Sequence, residues 1–163
     1  MANIQPFESF SEKYDEWFIR NNDKYELELR AISYFIPFKA NGLEVGVGSG
    51  KFAVPLGIRI GIEPSKKMAD KAKTLGIQTI KGVADNLPFA DNCFDFILMV
   101  TTICFVDDIK TAFQKAFRVL KNEGFIVIGF VDRESKLGKE YMRNRDSSKF
   151  YKEAMFFFPH KKF

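Results

Sequence analysis

The chain has 163 residues, 46% of them hydrophobic and 28% charged, which fits one soluble domain large enough to bury a core without disulfides. No window approaches 18 consecutive apolar residues, so no transmembrane helix is expected, and the polar, acidic N-terminus lacks the basic-then-apolar start of a signal peptide. The net charge of +4 is uneven: residues 133–163 hold nine basic and four acidic side chains, a net +5 that leaves −1 for the rest.

The first predicted element is a helix, with Phe7, Phe10, Tyr14, Trp17 and Phe18 on one stripe. Asn21-Asn22-Asp23 breaks it. A second helix carries Tyr25, Leu29, Ile32 and Ile36 on one face and stops at Pro37. The pattern then changes to short apolar strands alternating with helices. Leu43 to Val47 reads as a strand, followed by a glycine turn and a short helix cut off near Pro55 and Gly57. Ile58 to Ile62 is the second strand, and Ser65 can cap the helix that follows it. Gln78 to Val83 is the third strand. Phe94 to Val100, almost wholly apolar, is the fourth and should be buried on both faces. Asp107 or Asp108 can cap the next helix, whose stripe is Ile109, Ala112, Phe113, Ala116, Phe117 and Leu120. Phe125 to Val131 is the fifth strand. A helix is expected around Ser135 to Arg145, and Phe150 to Phe158 reads as one more strand without a visible partner.

This alternation predicts an α/β fold: Rossmann-like, doubly wound, with a mainly parallel sheet and helices on both faces. Ligands of such sheets sit at the carboxyl ends of the strands, near the switch in strand order. Three stretches fall there. In LEVGVGSG, Gly46, Gly48 and Gly50 allow a sharp turn and a close ligand approach, with Glu44 just before them. Lys51 stands where the third glycine of a dinucleotide fingerprint would be. The Glu44 carboxylate suits an ammonium better than a pyrophosphate. In IGIEPS, Glu63 ends the second strand, where a carboxylate can accept hydrogen bonds from a ribose. In KGVADNLPF, Ala84 and Asp85 follow the third strand and can face an adenine edge.

Together these motifs resemble the class I S-adenosylmethionine-dependent methyltransferases, specifically the small methyltransferase domain 11 type. EVGVGSG resembles that family's glycine motif, IEPS its ribose motif and GVADNLPF its G-x-A-E-x-LPF segment. CFDFILMV resembles its fourth strand, RVLKNEGFIVIG its RVLKPGG-plus-strand segment, and YDEWF an N-terminal element that closes over the cofactor. The resemblance implies S-adenosylmethionine as cofactor. It places Gly46, Gly48 and Gly50 along the methionine portion, Glu63 with Pro64 at the ribose, Ala84 and Asp85 at the adenine, and Val100 and Thr101 near the sulfonium. Tyr14 and Glu44 complete the expected cofactor set.

Three departures stand out. Val83 occupies a position where many relatives carry Asp, and Asn122-Glu123 replaces Pro-Gly. The family's final antiparallel hairpin is also not evident, so the chain reads as C-terminally shortened. The whole is read as one domain: an N-terminal helical cap (1–38), a cofactor-binding core (39–132) and a basic C-terminal segment (133–163). The uncovered fifth strand predicts either a homodimer through that edge or poor solubility.

No residue is assigned as catalytic base. His160 is the lone histidine and sits near the end of the tail, and Cys104 reads as pocket wall because nothing nearby is placed to activate it. No metal cluster is expected. Cys93 and Cys104 lack metal or redox spacing and fit the reduced thiols of a cytoplasmic protein. Val-Thr-Thr-Ile stands where nucleobase-methylating relatives carry their Pro-containing motifs, which disfavours a nucleobase acceptor and leaves a small molecule as first choice, ahead of a protein or RNA side group. The alternatives are a cofactor-binding but inactive or regulatory homologue, and an NAD-dependent oxidoreductase using Glu63 on the ribose.

Overall fold

A computed structural model describes residues 4–152. Five strands form one sheet: β1 (Gly42–Val45), β2 (Ile60–Ile62), β3 (Gln78–Ile80), β4 (Phe94–Val100) and β5 (Leu120–Gly129). Every neighbouring pair is parallel, in the order β3-β2-β1-β4-β5. The chain therefore builds outward from β1 to β3, then returns to the other side of β1 for β4. That reversal opens a crevice at the carboxyl ends of β1 and β4.

β4 matches its sequence reading at both ends. Its side chains alternate between two cores. Ile97 and Met99 join Val45, Ile62 and the inner face of α5 (Ile109–Val119). Phe96, Leu98 and Val100 join Phe18 of α2 (Ser11–Arg20), Ile32 of α3 (Asn22–Ser33) and Ala72 of α4 (Lys66–Thr74). Helices thus cover both faces, as the strand–helix alternation requires.

Several boundaries differ from the sequence reading, each for a local reason. The aromatic stripe at the N-terminus is two helices, α1 (Gln5–Ser9) and α2, broken at Phe10, whose φ of −129° and ψ of 30° leave the helical region. The break lets Glu8 turn toward α4 while α2 crosses to the core. The short helix after the glycine loop is a set of turns. Val54 and Leu56 donate helical bonds to Gly50 and Phe52, but Pro55 between them has no N–H to give. β3 stops at Ile80, because Val83 instead bridges Asn86 in a tight turn. β5 starts at Leu120, which pairs with Phe94, and the next ladder pair is Phe125 with Phe96. Lys121 to Gly124 bulge out between them, with Glu123 at φ 67°.

Beyond β5, α6 (Lys136–Arg143) is capped by Ser135, whose Oγ accepts the Gly138 N–H at 3.0 Å. Arg133, Lys136, Lys139, Arg143, Lys149 and Lys152 are exposed, a solvated basic face. The strand expected from Phe150 does not form over Phe150 to Lys152, and the rest of it lies outside the described residues. Among the described residues no strand pairs with the outer edge of β5, and none runs antiparallel.

Ser65 shows how caps fix this frame. Its buried hydroxyl accepts the Met68 N–H at the start of α4 and donates to Glu8 Oε1 at 2.9 Å. Ser65→Ala removes both bonds and should lower stability by about 1 kcal/mol. Urea denaturation reads the change, and an unshifted midpoint would contradict it.

Candidate active site

A cavity of about 640 Å³ lies at the carboxyl ends of the strands. Its size is that of a small-molecule site. Gly46, Gly48, Glu63, Pro64, Ala84 and Asp85 line one part of it. Val100, Thr101 and Thr102 line another, and Phe7, Tyr14, Phe105 and Phe150 contribute aromatic wall.

The glycine loop is pinned from below. The N–H groups of Gly46 and Val47 both donate to the Ile62 carbonyl, at 2.8 and 3.0 Å. Gly46 has φ +75°, and a Cβ there would overlap Thr102 Oγ1 and stand 2.6 Å from its Cγ2. Glycine is required at this position on both counts. The loop is also pinned from the side. Gly48 N–H donates to Glu63 Oε2 at 2.9 Å, and Ser65 N–H to Oε1 at 2.8 Å. A carboxylate has about four acceptor positions, so Glu63 keeps two for a ligand. Burial raises the Glu63 carboxyl to about 7, although the Ser65 and Gly48 amides favour its charged form.

Two residues expected at the cofactor do not line the cavity. Glu44 points away from it, because strand alternation sends Val45 to the cavity side. Its carboxyl is buried, held by the Ala53 N–H, with Oε2 unpartnered. Burial pushes it well above the usual carboxylate range, and the nearby Glu63 charge adds to that push. Gly50 faces α4, where a Cβ would make only ordinary contact at 3.7 Å from the Ala72 Cα; its φ of +86° is what calls for glycine.

Thr101 has φ +50°, a strained setting for a β-branched residue, and it is held there by donating its N–H to Gly129 O at 2.7 Å. Cys104 does not line the cavity either. Its thiol donates to Thr101 O at 2.9 Å, and burial pushes it up to about 12, which removes it as a nucleophile. His160 lies outside the described residues. Among the described residues no group of three or more His, Cys, Asp or Glu could hold a metal ion, and no helix is long and apolar enough to cross a membrane.

The structure adds a residue that sequence reasoning missed. Asp15, next to Tyr14 on α2, accepts Ser49 Oγ at 2.6 Å and Lys71 Nζ at 2.7 Å, and it lies 3.4 Å from Lys51 Nζ. This network ties the N-terminal helices to the glycine loop and to α4. Tyr14, whose hydroxyl is pushed up by burial, sits over Gly48, where a Cβ would come within 3.3 Å of its Oη.

Comparison with known proteins places this geometry in a family. The profile of the methyltransferase domain matches residues 43–128, from β1 into β5. An uncharacterized protein of Methanocaldococcus jannaschii is 45% identical over 150 residues, covering 92% of this chain and 73% of that protein. An uncharacterized protein of Mycobacterium tuberculosis is 33% identical over 148 residues, and this chain spans 52% of its length. The crystal structure of an S-adenosylmethionine-dependent methyltransferase from Thermotoga maritima, described as a possible histamine N-methyltransferase, superposes with a TM-score of 0.91 at 50% identity. It covers 94% of this chain and 74% of that one. With the parallel sheet, the glycine loop and the Glu63 carboxylate on one cavity, the chain belongs to the methyltransferase-domain family of class I S-adenosylmethionine-dependent methyltransferases.

Proposed function

We propose that this chain transfers a methyl group from S-adenosylmethionine to a small-molecule acceptor. The observation that carries the reading is one cavity that joins the glycine loop and Glu63 to an aromatic-walled space beyond Thr101. The residues fit the cofactor. Glu63 has two acceptor positions left for a hydroxyl pair, and the turn at Ala84-Asp85 offers backbone and carboxylate to an adenine edge. The strand-end lining is acidic, through Glu63 and Asp85, which suits a cofactor bearing positive charge and disfavours a pyrophosphate. In this reading Gly46 and Gly48 lie along the methionine portion, Pro64 borders the ribose, and Val100 and Thr101 face the sulfonium.

The cofactor supplies an electrophilic methyl group on sulfur. The protein then has to hold the acceptor in line and keep water out, and positioning of that kind carries much of such catalysis. Tyr14, Phe7 and Phe105 contribute to that enclosure. An aromatic wall of this kind supports a small acceptor over a polymer. So does the Thermotoga maritima relative, whose described acceptor is small. Incubation with methyl-labelled cofactor and a fractionated cell extract tests the reading. Label in the low-mass fraction is expected. Label in RNA or protein would overturn the small acceptor, and cofactor binding without any label would favour the non-catalytic alternative.

Glu63 makes the site pH-sensitive. Hydroxyl donors favour its charged form, so binding drives off a proton held up to about pH 7. Affinity for S-adenosylhomocysteine should rise about tenfold from pH 6 to pH 8 and then flatten. Stability runs the other way. The folded chain keeps this proton above the unfolded value of 4.5, so the Glu63 contribution is full below 4.5 and is lost as pH rises through about 7. Calorimetric titrations across that range read the affinity, and a flat profile would remove Glu63 from the binding surface.

A further inference from the structure

We propose that the acceptor carries a protonatable amine, recognised by Glu28 in the aromatic part of the cavity. Glu28 is on α3 and lines the same cavity as Glu63 and Thr101. Its position follows from Gly129. A Cβ on that glycine would stand 3.5 Å from Glu28 Oε1 and 3.2 Å from Val100 Cγ1. Gly129 is the ladder partner of Val100 and accepts the Thr101 N–H. The Glu28 carboxyl therefore hangs over the carboxyl ends of β4 and β5, beside the residues proposed to face the reacting group. The missing side chain at Gly129 leaves room for it.

Among the described residues Glu28 has no hydrogen-bond or ion-pair partner. A half-buried carboxylate without one is costly, and a ligand that pairs with it recovers the difference. Its surroundings select the ligand's charge. Tyr141 and Tyr151 stack at 4.9 Å between ring centroids, both line the cavity, and the charge of Glu28 opposes the ionisation of both hydroxyls. Phe130 adds a third ring to the lining. A carboxylate among aromatic faces is the setting that an ammonium group prefers, through ion pairing and cation–π attraction. The other charged side chains on the cavity are Lys13, Lys24, Glu63, Asp85, Asp107 and Asp132, so acids outnumber bases there. An anionic acceptor would meet a repulsive field, and a neutral apolar one would leave Glu28 unpaired.

The word acceptor rests on the methyl-transfer reading, whereas amine binding does not, and the test separates the two. The protein is titrated calorimetrically with 2-phenylethylamine and tyramine, with 2-phenylethanol as the neutral isostere, and separately with S-adenosylhomocysteine. The same titrations are run on Glu28→Gln. The amines should bind at least about tenfold more tightly than the alcohol, the scale of a hydrogen bond to a charged group. Glu28→Gln should erase that preference and leave S-adenosylhomocysteine affinity within about twofold, which also shows that the variant is folded. Amines binding no better than the alcohol, or a preference that survives Glu28→Gln, would overturn the proposal while cofactor binding stood. An amine preference without S-adenosylhomocysteine binding would support the Glu28 site and overturn the methyl-transfer reading instead.

Discussion

Glu63→Ala is expected to weaken S-adenosylhomocysteine binding by roughly 10- to 150-fold. A hydrogen bond to a charged group is worth ~1.5–3 kcal/mol, and that range sets the factor. The carboxylate acts in two ways at once. It offers acceptor positions to the ligand, and it holds the Gly48 and Ser65 amides that shape the loop and the start of α4. Glu63→Gln separates these roles. Glutamine keeps one carbonyl acceptor but brings an NH₂ against an amide donor, so it should bind more weakly than wild type above about pH 7, where Glu63 is charged. It should also lose the pH dependence. A Glu63→Gln protein that binds as tightly as wild type at pH 8 would contradict the assignment.

The second large effect is expected at Gly46. Gly46→Ala places a side chain in the left-handed region, where L-residues pay roughly 1–2 kcal/mol. It also drives the new methyl into Thr102, whose hydroxyl is occupied with the Val100 carbonyl at 3.1 Å. Overpacking of that kind costs about 1–3 kcal/mol. The total loss of stability should be on the order of 2–5 kcal/mol. The loop must also shift, and displacement of a binding element by about 1 Å can cost on the order of 100-fold. Adding Thr102→Ala should return the packing part and leave the conformational part, a coupling that urea denaturation of the single and double variants measures. Purely additive losses would mean that Thr102 does not fill the space beside Gly46.

Local patterns carried much of the fold in the sequence. β4 was legible at both ends because a strand buried on both faces is a continuous apolar run with polar limits. The Ser65 cap was legible, and of the two candidates before α5 the chain uses Asp108, whose carboxylate accepts the Thr111 N–H. The misread boundaries are those where a tertiary contact overrides a local preference. Lys81-Gly82-Val83 continues a strand pattern, yet Val83 leaves the sheet to bridge Asn86. Leu120 looks like the end of a helical stripe, yet it opens β5, since the bulge from Lys121 to Gly124 hides the resumed pairing. The stripe through Phe10 is unbroken in sequence, whereas in the fold the chain breaks there and Glu8 accepts the Ser65 hydroxyl, a contact between residues far apart in sequence.

The site divides in the same way. The glycine loop and Glu63 announce themselves because each sits where an apolar strand ends, a signal contained in a few consecutive residues. Glu44 shows the limit of that logic. Its place before the glycines suggested a ligand, but the alternation of β1 turns it into the interior. The contacts from Asp15 to Ser49 and Lys71, and the approach of Glu28 to Gly129, join residues far apart in sequence. No local pattern encodes them. An acid beside an aromatic on a surface helix gives no sign of what it will meet.

The central claim is that this cavity binds S-adenosylmethionine, and calorimetric titration of the purified chain with S-adenosylhomocysteine at pH 8 tests it most directly, with NADH as the control ligand. The account predicts saturable one-to-one binding of S-adenosylhomocysteine and none of NADH. A folded protein that gives no signal with S-adenosylhomocysteine and binds NADH would contradict it, and would return Glu63 to the ribose of a different cofactor.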